Sequence, residues 1–206
     1  MARPYSKTYT PADVDDDGIA QNQTPGAAGA LTLNGALGTT LDYARILVIT
    51  TASNESAKTL TFLGTDANGS VITEVVTGPN ATTANTTKAY KTVTSITVSA
   101  AFTGNVKVGT TSAVYGAAYQ TNNRQPDFQL GFGCDISGTI NYTIQHAFEA
   151  IQTSGTASLS WFPHSAAASK TADYSDSYLF PITATRVVIN SYSSGATLKH
   201  VMVMSE

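Results

Sequence analysis

The sequence predicts an all-β protein: two consecutive antiparallel β-sandwich or jelly-roll-like modules preceded by an extended N-terminal arm. Three observations predict it. Short β-branched runs recur along the 206 residues, with Gly, Asn and Asp between them. No segment sustains a helical period; the best, 147–152, reads as a turn or a single helical turn. The stretch Gly64-Thr65-Asp66-Ala67-Asn68-Gly69-Ser70 lies between two strand-like runs. It is hairpin chemistry, because Asn and Gly accept positive φ and Asp bonds back to nearby backbone.

Residues 1–28 hold two early prolines, an acidic run and a Gly/Ala segment, and read as an arm that is loose or ordered by a neighbour. Strands are expected at 30–34, 45–50, 58–63, Val71–Thr77, 90–99 and 105–109. In Thr92-Val93-Thr94-Ser95-Ile96-Thr97-Val98 the apolar register changes near Ser95, which predicts a bulge or a crossing between sheets. These strands make a first module over 29–118. The polar segment 119–127, with Pro126, reads as a linker.

A second module is expected over 128–206, with strands at 128–132, 139–146, 157–162, 185–191 and Thr197–Met204. Ile140, Tyr142 and Ile144 alternate with Asn141, Thr143 and Gln145, as in a half-buried strand. The same alternation places His146 beside Ile144, as a packed and hydrogen-bonded core histidine. Leu198, Val201 and Val203 fit no single alternation, so the last strand reads as bulged or buried on both faces. The Ala-rich stretch 165–170 reads as loop.

Composition narrows the function. Hydrophobic residues make up 42% of the chain, enough for a real core, while charged residues are only 12%, about half the usual ~25%. Thr, Ser, Asn and Ala stand in for the missing charge. Such a surface suits a protein covered by partners or an extracellular particle. The net charge of −3, without a Lys/Arg cluster, gives no basis for nucleic-acid binding. No apolar run approaches the roughly 20 residues of a membrane span, and Met1 to Ser6 shows no secretory h-region.

Cys134 is the single cysteine, so a disulfide within the chain is excluded and a small strand residue is expected there. Asp13-Val14-Asp15-Asp16-Asp17-Gly18 matches the first half of an EF-hand loop, but Thr24 stands where a bidentate Glu belongs. A solvated acidic loop is the default reading. His146, His164 and His200 lie on separate segments with no zinc spacing. No Gly-x-Ser-x-Gly elbow or His-Glu-x-x-His occurs. No catalytic residue, cofactor or metal site is therefore expected.

Trp161-Phe162-Pro163-His164 is the densest aromatic cluster. Trp161 reads as core, because it buries so much area; exposed, Trp161 and Phe162 would stack on a ligand. Tyr5, Tyr9, Val14 and Ile19 are the apolar residues with which the arm would lace onto a neighbour.

Leu31-Thr32-Leu33-Asn34-Gly35, Arg45-Ile46-Leu47-Val48-Ile49-Thr50, the stretch 60–79, Lys91 to Ile96 and Asn105 to Gly109 share a common style. So do Tyr142 to His146, Trp161 to His164 and Phe180 to Arg186. Over residues 28–115 and 127–206 the chain resembles the small β-rich virion structural proteins of tailed bacteriophages. That resemblance implies a non-enzymatic virion protein, acting as capsid cement or decoration or as a head-to-tail neck component. It implies homo-oligomers and partners such as the major capsid, portal or neck proteins, and a place in the virion after assembly in the host cytoplasm. The alternative is a receptor- or carbohydrate-binding module of a phage tail or fibre.

Overall fold

Residues that alternate apolar and polar at a period of two make strands where one face meets a core. The computed structural model describes residues 3–122, 128–149, 151 and 158–204. In chain order its strands are β1 (Arg3–Tyr9), β2 (Ala20–Gln23), β3 (Gly29–Ala30), β4 (Thr40–Thr51), β5 (Thr59–Thr65), β6 (Val71–Thr77) and β7 (Thr83–Val98). They continue as β8 (Val106–Tyr115), β9 (Tyr119–Gln120), β10 (Leu130–Ser137), β11 (Ile140–Ala147), β12 (Phe162–Pro163), β13 (Tyr174–Tyr178), β14 (Ala184–Tyr192) and β15 (Thr197–Met204). A 3-10 turn, Ser165–Ala167, lies in the stretch expected to be loop. The strand pairings with a defined register among the described residues are antiparallel, so the all-β expectation holds.

The chain divides into two units. A continuous unit spans Val14–Ser112, and a split unit joins Met1–Asp13 to Ala113–Glu206. This differs from the division read from sequence. The segment 1–28 is not a free arm over its described length. Arg3–Tyr9 pairs with Thr197–Met204, from Arg3 opposite Met204 to Tyr9 opposite Leu198. Tyr9 is buried, and Ile19 and Ala20 sit in the core of the continuous unit. The boundary at 118–119 is also not a module boundary. Tyr119–Gln120 pairs with β14, Thr121 is buried, and residues 123–127 of the expected linker lie outside the described residues.

In the continuous unit the strand order is β8-β4-β7-β5-β6, with β2 on β8 and β3 on β7. Leu47, Ile49, Leu60, Phe62, Ile72, Tyr90, Val93 and Ile96 fill its core. The turn Gly64 to Ser70 closes the β5–β6 hairpin as expected. Asp66 Oδ1 accepts from the Asn68 and Ser70 amides, each at 2.9 Å, and Gly69 takes φ of 84°. The register shift expected near Ser95 is present: Leu63 faces Ser95 while Gly64 faces Val93, so Thr94 is the extra residue. It lets Val93 and Ile96, three positions apart, both point inward. Gly64 lies against that bulge, and a Cβ there would stand 1.9 Å from the Thr92 carbonyl.

β6 is the outer strand of this order, and its edge is clasped. Glu74 accepts from the amides of Thr87 at 2.7 Å and Lys88 at 3.0 Å. Lys88 Nζ returns a bond of 2.8 Å to the Thr73 carbonyl, which blunts an edge otherwise rich in valine.

The split unit is a sandwich of two sheets. One runs β1-β15-β10-β13. In the other, β12 pairs β11, β11 pairs β14, and β14 also pairs β9 and the end of β8. Leu130, Phe132 and Cys134 face inward from β10, and Leu198, His200 and Met202 from β15. The last strand is therefore neither bulged nor buried on both faces. It alternates strictly, with His200 at an inward position that apolar counting skipped. Cys134 is a buried strand residue as expected, and burial pushes its thiol up to about 12. β13 was not expected at all. Its Ser and Asp residues hide an alternation in which Tyr178 points inward.

Candidate functional site

The inward face of β11 ends at His146, after Ile140, Tyr142 and Ile144. Its partners bring aromatic residues around it. β12 places Phe162 opposite His146, and β13 carries Tyr178 in from the facing sheet. The His146 ring lies 5.1 Å from Phe148, 5.2 Å from Tyr178, 5.7 Å from Phe180 and 6.1 Å from Phe162. His164 stands edge-on to the same Tyr178 ring at 4.8 Å and to Phe132 at 5.1 Å. The His164 amide donates to the Ile144 carbonyl at 2.8 Å, which fixes this segment on β11.

The cluster has two layers. Phe132, His146 and Tyr178 are buried. Phe148, Phe162 and Phe180 are 51%, 47% and 45% exposed, and Leu179 is 75% exposed. Phe148 lies 5.8 Å from Phe162 and 6.1 Å from Phe180, so the three exposed rings are neighbours. Scattered exposed apolar residues are ordinary, but three adjoining rings mark a contact surface. The backbone behind them is tied down. The Thr183 amide donates to Ala147 at 2.9 Å, and the Thr185 hydroxyl to Gln145 at 3.0 Å.

His146 is buried as expected, but its Nδ1 makes no hydrogen bond among the described residues, and neither does that of His164. Burial pushes the His146 imidazole below its ordinary value, and the charge of nearby His164 pushes the same way. Asp176 is held below the usual carboxylate range by the Ser177 amide and the Tyr174 hydroxyl, with smaller help from His164 and Lys170.

The two aromatic residues singled out in the sequence part company. Phe162 belongs to the exposed layer. Trp161 packs against the small cluster of Ala147, Leu159 and Ala184. The Arg186 guanidinium lies over its ring at 4.0 Å, reaches Gln145 Oε1 at 2.8 Å and sits 5.0 Å from Tyr115. Phe148, Leu179 and Phe180 were missed, because nothing in a local sequence window brings the ends of β11 and β13 together. The signal that was there is the apolar triplet Leu179-Phe180-Pro181 directly after a polar strand.

The four arm residues are dispersed. Tyr9 and Ile19 are buried, Tyr5 is half-buried with its ring 4.9 Å from Tyr119, and Val14 is 53% exposed. The acidic loop is also divided. Asp13 accepts from the Ser194 hydroxyl at 3.0 Å. Asp15, Asp16 and Asp17 bring carboxylate oxygens within 4.8 Å of one another. Lys107 pairs with Asp16, and Asp15 Oδ1 accepts from the Asp17 amide at 3.2 Å. These are the contacts of a self-satisfied acidic turn.

No family model matches the chain, and no curated protein matches it. Among solved structures it is similar to a chain in a structure of infectious bursal disease virus, Gx strain. The identity is 11% and the TM-score 0.19, over 99% of this chain and 71% of that one. A likeness this loose bears on neither fold nor function.

Proposed function

We propose that the chain is a non-enzymatic virion structural protein of the tailed-phage kind. It works by protein–protein contact, as a capsid-associated cement or decoration protein or a neck component. The single observation that carries this reading is the exposed layer of Phe148, Phe162, Leu179 and Phe180 on a rigid β scaffold. A half-exposed Phe leaves about 100 Å² to cover. At ~25 cal/mol per Å², each ring then contributes about 2.5 kcal/mol to docking, before ordering costs. The low charge and the sequence resemblance support the same reading. Its partners are copies of itself and the capsid, portal or neck proteins of the particle.

The alternative, a carbohydrate-binding module, needs a free Trp161 face. Arg186 over that ring argues against it. The test is particle incorporation of the Phe148→Ser/Phe180→Ser variant. We expect a folded protein that no longer associates with purified particles; unchanged incorporation sinks the reading.

A further inference from the structure

All three histidines of the chain lie in the split unit. Two of them, His146 and His164, are edge-on neighbours of the same Tyr178 ring, at 5.2 Å and 4.8 Å. Each has a buried Nδ1 that makes no hydrogen bond among the described residues. We propose that His146 forms an acid-sensitive latch beneath the exposed phenylalanines, holding the patch in shape at neutral pH and loosening it in acid. As regulation of the contact surface, the proposal rests on the reading of that patch as an assembly site.

The physical case starts with what surrounds the rings. His146 is 7% exposed and ringed by Phe148, Phe162, Tyr178 and Phe180. A proton added there creates a cation among hydrocarbon edges. Ring faces return less to a buried cation than its desolvation costs. The second imidazole adds like-charge repulsion.

The other polar groups near the pair do not cancel this. From β13, Asp176 acts on His164, and Lys170 acts on Asp176 while sitting 4.1 Å over the Tyr174 ring. The Tyr178 hydroxyl, pushed up by burial, and the Cys134 thiol of β10 stay neutral through the acid range. From β14, Thr185 is spent on the Gln145 carbonyl, and Arg186 reaches out to Gln145 and Trp161. Glu149, beyond Phe148, accepts from the Ser160 amide at 3.0 Å. Opening the cluster gives the His146 imidazolium water and is the available response to acid.

The test uses the full-length chain and hydroxyl-radical labelling read by mass spectrometry, near pH 7 and near pH 4.5. Tyr178 and Phe132, buried at neutral pH, are the reporters. Their labelling should climb as the pH falls below about 6.5, by up to about tenfold per pH unit while His146 is neutral only when closed. The rise should shrink in His146→Gln, leaving the part that His200 of the same unit contributes. Equal protection at both pH values, or an undiminished rise in His146→Gln, overturns the latch. Should the variant not fold, the wild-type His146 ring-proton titration must track the labelling of Tyr178; separate midpoints overturn it equally. Sedimentation of particle mixtures in the same buffers separates the two readings. Association that persists while Tyr178 becomes labelled overturns the assembly site and leaves the latch. Association lost in acid with Tyr178 still protected overturns the latch alone.

Discussion

The two units bury polar groups in opposite ways. The continuous unit buries permanent charges and pairs them. Arg45 is 1% exposed, and its Nε and Nη2 donate to Asp42 at 2.8 and 2.6 Å. Glu55 is fully buried; its Oε1 accepts from the Thr103 and Gly104 amides at 2.7 and 3.0 Å, and Oε2 pairs with Lys58 at 2.5 Å. The split unit buries histidines and leaves a ring nitrogen of each unpartnered among the described residues. One unit holds no histidine, and the other carries His146 and His200, whose neutral forms burial favours. A β core tolerates either solution, but only the second responds to pH between ordinary histidine and ordinary carboxylate values.

The largest way to break this comparison is Asp42→Ala. It removes the carboxylate that takes the Nε and Nη2 bonds of buried Arg45 and should cost the continuous unit about 3–4 kcal/mol. Amide hydrogen exchange should show the loss in β4 and β7 and spare β10 to β15; uniform loss would mean the units are not separately sensitive. Next comes acid. Burial pushes His200 from 6.5 down to about 4. Its neutral form is favoured in the fold, so its stabilisation is complete above about pH 6.5 and is lost as pH falls toward 4. The loss is on the order of 3 kcal/mol in the split unit. Denaturant melts across that window should show it, and a flat profile refutes it. His200→Gln should flatten the slope.

Glu55 sharpens the contrast at lower pH. Burial raises its carboxyl, but the Lys58 bond and the Gly104 and Thr103 amides outweigh that, and the net shift is downward. Its contribution is present above the ordinary carboxylate value and is lost as pH falls through the lowered one. Glu55→Gln should cost the continuous unit about 1–3 kcal/mol near neutral pH, measured by urea titration. The smallest effect on stability is at the patch. Phe180→Ser should change stability by less than about 0.5 kcal/mol while weakening particle association.

Local chemistry was legible and distant pairing was not. The hairpin at Gly64 to Ser70, the strand Val71–Thr77 and the bulge beside Ser95 follow from residues within a few positions of one another. The strand Arg3–Tyr9 does not, because its partner is at the other end of the chain. An arm with Pro4 and Lys7 has the composition of an edge strand as much as of a tail. Deleting residues 1–20 would thus remove a paired strand and the core residues Ile19 and Ala20, rather than trim a tail. The candidate site was half legible. Phe162 and His146 were singled out, while Phe148, Leu179 and Phe180 gained meaning only when β11, β12 and β13 converged.

By itself the sequence determined that the protein is β, where its turns fall and that its surface is poorly charged. Backbone preference, alternation and composition act over a few residues, so they are written in order along the chain. Tertiary structure alone decided which strands pair, that the N-terminus closes onto the C-terminus, and that three histidines share one unit. Those outcomes depend on contacts between residues far apart in sequence, whose burial and partners exist only once the sheets have met.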